Sequence, residues 1–161
     1  RSRKSMSITG SRSSTAVALP ALAAPRRAPK GSNVFEVTVE DEFSAAHYLK
    51  LYDGSWEPRH GHTFKVAVTA RSKTLDSMEV VVDFEWLKPA LKKVLSEFHE
   101  KSFNDHSEFR SRNSSTENIA KLIHDRLAPS IPKGGARVAK VTVWETPDAS
   151  ASYIADEADT R

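Results

Sequence analysis

Phe35, Val37 and Val39 alternate with Glu36, Thr38 and Glu40, the period of a strand with one buried face. A second alternation runs through Phe64, Val66 and Val68, with Thr63, Lys65 and Ala67 between them. Together they predict an antiparallel hairpin joined by residues 44–60, a connection long enough to carry function. In MEVVVDFEWLKPALKKVLSEF the period changes. Phe84, Leu87, Leu91, Val94, Leu95 and Phe98 recur at helical spacing, with Asp83 placed to cap the helix start. Pro89 either sits in an early turn of this helix or bends it. The stretch SSTENIAKLIHDRLAPSIP predicts a second helix. Ser115 or Thr116 caps it, Ile119, Leu122, Ile123 and Leu127 form the buried stripe, and Pro129 and Pro132 stop it. After Gly134–Gly135, RVAKVTVWET reads as a strand, and a short last strand falls near Ala151–Ile154. The order β-β-α-α-β-β predicts an α+β domain, an antiparallel sheet with two helices on one face.

Composition narrows the class. A chain of 161 residues with 39% hydrophobic and 28% charged residues fits one globular domain plus a tail. No apolar run approaches the roughly 18 residues of a membrane span. There is no cysteine, which removes disulfides, thiolate ligands and any cysteine nucleophile. Residues 1–32 hold seven Lys and Arg and no acid, whereas residues 33–161 carry 17 basic and 21 acidic side chains. The basic character therefore belongs to the tail, and the mildly acidic balance of the rest weakens a nucleic-acid reading, which would need its own clustered Lys and Arg. The tail is rich in Ser, Ala and Pro. It is expected to be a disordered extension with the character of an organelle transit peptide, plastid or mitochondrial. A plain basic tail on a cytoplasmic protein is the alternative.

Candidate chemistry concentrates in the histidines. His60 and His62 stand two apart at the entry to the second strand, so both imidazoles point to one face. His47, in FSAAHY, could add a third nitrogen. Three histidines leave the fourth position of a zinc ion open, the pattern of a catalytic site. Chance His-x-His pairs on surface strands have the same spacing. His99 and His124 have no such neighbours and read as surface or half-buried histidines. No nucleophile elbow and no glycine-rich phosphate loop is present.

The succession FSAAH, HGH, VDFEWLK, a DH pair, STENIA and ET followed by a tyrosine resembles the 6-pyruvoyl-tetrahydropterin synthase family, which includes the 6-carboxytetrahydropterin synthases. The resemblance covers residues 34–154. It implies the tunnelling fold, in which ββααββ units assemble their sheets into a barrel, as a homohexamer built as a dimer of trimers. It implies Zn2+ as cofactor, held by His47, His60 and His62, and a small-molecule pterin substrate. Glu145 matches the carboxylate that anchors the pterin ring, and two adjacent N–H donors on a pterin edge suit a bidentate acceptor. Ser115, Thr116 and Glu117 fall on the segment around the pterin pocket, where helix capping is their plain alternative. Asp105 and His106 match a proton-transfer pair, the carboxylate favouring the charged imidazole. Asn104 departs from the leucine usual before that pair, and Glu108–Phe109 from the Leu-Asn usual after it.

The larger departure is the missing cysteine before HGH. Here the stretch is GSWEPRHGH, with Trp56 where bacterial-type members have Cys and Glu57 three before His60. This is similar to the glutamate-type branch, whose members cleave 7,8-dihydroneopterin triphosphate to 6-hydroxymethyl-7,8-dihydropterin for folate synthesis. The resemblance therefore implies a lyase with Glu57 as general base. The alternatives are 6-pyruvoyl-tetrahydropterin synthase activity, with triphosphate elimination, and a non-catalytic zinc- or pterin-binding relic. Lys50 and Arg59 are candidates for the triphosphate from charge alone.

Overall fold

The computed structural model describes residues 33–132 and 134–156. The tail expected over residues 1–32 lies outside the described residues, as do its proposed transit function and organelle. Five strands and two helices make up the domain. They are β1 (Phe35–His47), β2 (His60–Ser72), α1 (Phe84–Ser96), β3 (Lys101–Ser102), α2 (Thr116–Leu127), β4 (Arg137–Thr146) and β5 (Ala149–Ile154). The sheet order is β3-β1-β2-β4-β5. Every pairing is antiparallel except the two-residue contact of β3 with β1. The α+β architecture expected from the sequence is the one observed.

The hairpin is longer than its alternating stretches. β1 and β2 pair without a break from Phe35↔Ser72 to His47↔His60, so the connection shrinks to residues 48–59. Ala45, Ala46 and Gly61 carry no strand signal of their own. Their small size lets the backbones stay paired to the end: a Cβ added at Gly61 would meet the Ala45 carbonyl at 3.5 Å.

Both helices start where their caps predict. The Asp83 carboxylate accepts the Glu85 N–H, and the Ser115 hydroxyl accepts the Asn118 N–H. Pro89 lies inside α1, where it deprives the Glu85 carbonyl of its usual donor without ending the helix. Leu87, Leu91, Ile119, Ile123 and Leu127 are fully buried, as are Phe64, Val66, Val68, Val141 and Val143 from the sheet. Each such side chain contributes about 1.5–3 kcal/mol on burial. At one end the core turns aromatic. The Phe43 ring stacks on Phe64 at 5.4 Å and meets Phe103 edge-on at 5.8 Å, and Phe98 lies 5.2 Å from Phe103. This aromatic block is the floor on which the histidines stand.

Candidate metal centre

Strand parity gathers the cluster. Odd positions of β1 (Val39, Phe43, Ala45, His47) and even positions of β2 (His60, His62, Phe64, Val66) share the core face, because residues directly opposed in the register point the same way. The last steps of the hairpin put His47 opposite His60 and Ala45 opposite His62. The three rings pack edge-on, with centroids 4.7, 5.3 and 5.0 Å apart. Phe64 lies beneath, 5.5 Å from the His47 ring and 5.4 Å from the His62 ring.

Glu145 arrives from β4 on the face of Val141 and Val143. It sits where the β4–β5 register shifts between Trp144 and Thr146, an irregularity that re-aims a side chain. His47, His60, His62 and Glu145 each bring a ligand atom within 4.8 Å of the others. One Glu145 oxygen, Oε1, stands 3.0 Å from His62 Nε2 and 3.5 Å from His47 Nε2. The other accepts the Thr116 hydroxyl at 2.6 Å. Neither contact to the imidazoles has hydrogen-bond geometry, so His47 Nε2 and His62 Nε2 are buried without a partner.

The far sides of two rings fix the tautomers of His47 and His60. His47 Nδ1 donates to the Ser114 carbonyl at 2.8 Å, and His60 Nδ1 donates to the Pro58 carbonyl at 2.9 Å. A backbone carbonyl can only accept, so each ring carries its proton on Nδ1 and turns a free Nε2 lone pair inward. A buried acceptor without a donor is costly. Convergent imidazole lone pairs beside a carboxylate remove that cost by holding a cation. The donor set therefore fits a metal ion, and all-nitrogen-and-oxygen coordination with three histidines suits zinc.

Electrostatics keep the set ready for a cation. Burial pushes the His62 imidazole below its ordinary 6.5, and the neighbouring His47 and His60 add to this against the opposing pull of Glu145. Burial alone would raise the Glu145 carboxyl. The Thr116 hydrogen bond and the three histidines outweigh it and hold the group below its ordinary 4.5.

Glu57 borders the cluster. Its Oε1 accepts the Leu49 N–H at 2.7 Å and lies 4.0 Å from His60 Nε2. Its own N–H donates to the Leu49 carbonyl, so backbone and side chain together pin residue 57 beside the ligands. Trp56 is 57% exposed and leans edge-on against Tyr48 at 5.5 Å.

Two asparagines that the sequence reading left without a role hold this loop in place. Asn104 accepts the Tyr48 N–H at 3.0 Å and donates to the Tyr48 carbonyl at 2.9 Å. Asn113 does the same at Lys50, at 2.8 and 3.0 Å. Each side-chain amide imitates a neighbouring strand and extends the edge of β1 past His47. Such pairing joins residues more than 50 apart in sequence, and no local pattern announces it.

The remaining candidates separate. Thr116 reaches Glu145, Ser115 caps α2, and Glu117 is exposed in the first turn of that helix. Lys50 is engaged through its backbone, and both Lys50 and Arg59 are exposed. Asp105 and His106 make no hydrogen bond or ion pair to the cluster among the described residues. His106 packs on Phe98 at 5.0 Å and near Phe103 at 6.5 Å, so the aromatic block stands between it and the ligands.

Comparison with known proteins follows the same lines. A family profile described as 6-pyruvoyl tetrahydropterin synthase matches residues 36–156. A dihydroneopterin monophosphate aldolase of Pyrococcus furiosus is 32% identical over 103 residues, 64% of this chain and 82% of the relative. The 6-pyruvoyl tetrahydropterin synthase of Caenorhabditis elegans superposes with a TM-score of 0.65 at 25% identity, covering 77% of this chain and 97% of that one. A Plasmodium vivax 6-pyruvoyltetrahydropterin synthase with alanine in place of a catalytic glutamate superposes with a TM-score of 0.62 at 23% identity, over 75% of this chain and 97% of that one.

Proposed function

The chain belongs to the 6-pyruvoyl tetrahydropterin synthase family of pterin-metabolising enzymes, and we propose that it is a zinc-dependent lyase that shortens the side chain of 7,8-dihydroneopterin triphosphate. The product is 6-hydroxymethyl-7,8-dihydropterin, of use in folate synthesis. The observation that carries this reading is the pairing of an acid with the metal set: Glu57 lies 4.0 Å from His60 in a chain without any cysteine. The aldolase name of the archaeal relative supports carbon–carbon cleavage. The catalytic glutamate of the Plasmodium vivax enzyme supports a glutamate in a catalytic role here.

His47, His60 and His62 would hold the ion. Bound zinc supplies Lewis acidity to substrate side-chain oxygens, lowering the cost of deprotonating a hydroxyl. Glu145 accepts the N–H groups of the pterin edge, with Thr116 fixing its second oxygen. Glu57, oriented by the Leu49 N–H, takes the proton of the 2′-hydroxyl. The C1′–C2′ bond breaks, and C2′ leaves as the aldehyde carbon of a phosphorylated glycolaldehyde. The electron pair enters the dihydropterin ring system, and a proton returned to C1′ completes the hydroxymethyl group. His106 is the proposed donor of that proton.

A second reading is favoured by the archaeal relative's printed name: the same cleavage on the monophosphate. One experiment tests both. The zinc-loaded protein is incubated with dihydroneopterin triphosphate or monophosphate, and the pterins are separated. Hydroxymethyldihydropterin is expected, with Glu57→Gln slowing its release by about 10²–10⁴-fold while zinc content is retained. A 6-pyruvoyl product without hydroxymethyldihydropterin would establish synthase chemistry instead. No turnover by zinc-loaded protein would leave a binding relic.

A further inference from the structure

At the opposite end of the hairpin from the histidines, the ends of β2 and β4 line an open pocket of about 350 Å3. That is within the roughly 300–1,000 Å3 range of small-ligand sites. Twelve register steps separate Phe35↔Ser72 from His47↔His60. At ~3.4 Å per residue the two places lie roughly 40 Å apart along the strand, so the pocket is not an annex of the metal centre.

Val34 and Gly135 give part of the lining, and the rest is polar. Arg71, Lys73 and Arg137 bring three cations, and Ser72 and Thr74 bring two hydroxyls. Glu36 is the carboxylate engaged, and it pairs with Arg71. Arg137 Nη1 donates to the Ala155 carbonyl, and among the described residues its guanidinium has no carboxylate partner. Lys73 has no carboxylate within ion-pair distance among the described residues. Ser72 is 4% exposed, and its Oγ accepts the Thr74 N–H, so its own proton is free to donate. The Thr74 hydroxyl has no partner among the described residues.

Gly135 keeps this floor open. It has φ +94°, and a Cβ there would stand 3.6 Å from both the Ser72 and Thr74 hydroxyl oxygens. A side chain would cover the two donors, and the left-handed backbone favours glycine in any case. Donors thus converge from two strand ends on a small space with surplus positive charge, in a domain whose overall balance is acidic. A group with several acceptor oxygens and more than one negative charge satisfies such an array best.

The geometry points to an anion site here for the phosphate groups of a small polyanion, separate from the pterin centre. The test uses the full chain at fixed ionic strength. Inorganic phosphate and inorganic triphosphate serve as free anions, and ATP serves as phosphate on an organic body. Binding is read by titration calorimetry and by the rise in Tm that ligand linkage demands. Triphosphate is expected to bind, with ATP within a few-fold of it. Lys73→Glu should weaken both by about tenfold or more, and Thr74→Val by a few-fold, at the level of losing one charge-assisted hydrogen bond. His60→Asn should leave the affinity unchanged. Wild-type affinity in both Lys73→Glu and Thr74→Val would overturn the site, and so would loss of triphosphate binding in His60→Asn, which would put the anion at the histidines. Because the readout is binding at residues remote from the metal, its failure leaves the lyase proposal standing, and the reverse also holds.

Discussion

Side chains at the candidate metal centre are held in two tiers. The imidazoles point inward because the Ser114 and Pro58 carbonyls occupy the outer nitrogens of His47 and His60. Glu145 is drawn toward them while Thr116 holds its other oxygen. This arrangement has a pH signature in the metal-free protein. Both His62 and Glu145 titrate below their ordinary values of 6.5 and 4.5 when folded. The unfolded chain therefore binds protons more readily at both positions, and stability rises with pH through each window. Read downward, the fold begins to lose stability below pH 6.5 through His62 and loses more below 4.5 through Glu145. Thermal melts of chelated protein from pH 7 to 3.5 should show Tm falling in both ranges. In Glu145→Gln the fall below pH 4.5 should flatten, and an undiminished fall there would break the assignment to this carboxylate. Strand parity alone paired His60 with His62; His47, read as part of the connection and a possible third nitrogen, joined them only through the family resemblance. The contact of Glu145 with them was not legible, since it depends on a register shift in β4 that leaves no mark in the local sequence.

Elements set how tightly that tier is supported. The hairpin carries its candidate ligands on the last core-facing position of β1 and the first two of β2, just where strands ordinarily fray. The asparagine clamps at Tyr48 and Lys50 counter the fraying. Asn104→Ala removes the amide that bonds both Tyr48 backbone groups and the Ser114 hydroxyl. Its expected cost is about 1–3 kcal/mol, from leaving half-buried backbone groups unpaired. Because Tyr48 follows His47, the loss should also appear as weaker metal retention, in the ~10–100-fold range typical of partners that orient ligands. Equilibrium unfolding and competition with a chelator measure the two effects. A stability loss with unchanged metal affinity would make the clamp merely structural. Sequence pattern did predict both helices and their caps, because caps and apolar stripes are local. It placed the connection over residues 44–60, and the strands proved to run on to His47 and from His60. Alanine and glycine weaken the alternation without weakening the pairing.

For the whole molecule, the informative fact is what one chain does not bring together. His106 packs beyond Phe103, which in turn meets Phe64 beneath the histidines, although the proposed chemistry needs a proton donor beside the substrate. The sheet also ends in two short edges, β3 and β5, and Ile154 on β5 is 66% exposed. Open edges with exposed apolar side chains invite pairing with another copy. A homo-oligomer in which one copy's Asp105–His106 faces another copy's histidines answers both observations, and a barrel closed by several sheets is the assembly that the family resemblance implies. This arrangement predicts complementation. His60→Ala and His106→Ala proteins, each inactive alone, should regain activity when unfolded together and refolded as a mixture. Some interfaces then pair an intact metal set with an intact Asp-His pair. At equal input, random assembly gives one quarter of such interfaces two intact halves, so recovery of roughly that share of wild-type activity is expected. Sites contained within single chains would give no recovery at all, because every chain in the mixture carries one lesion.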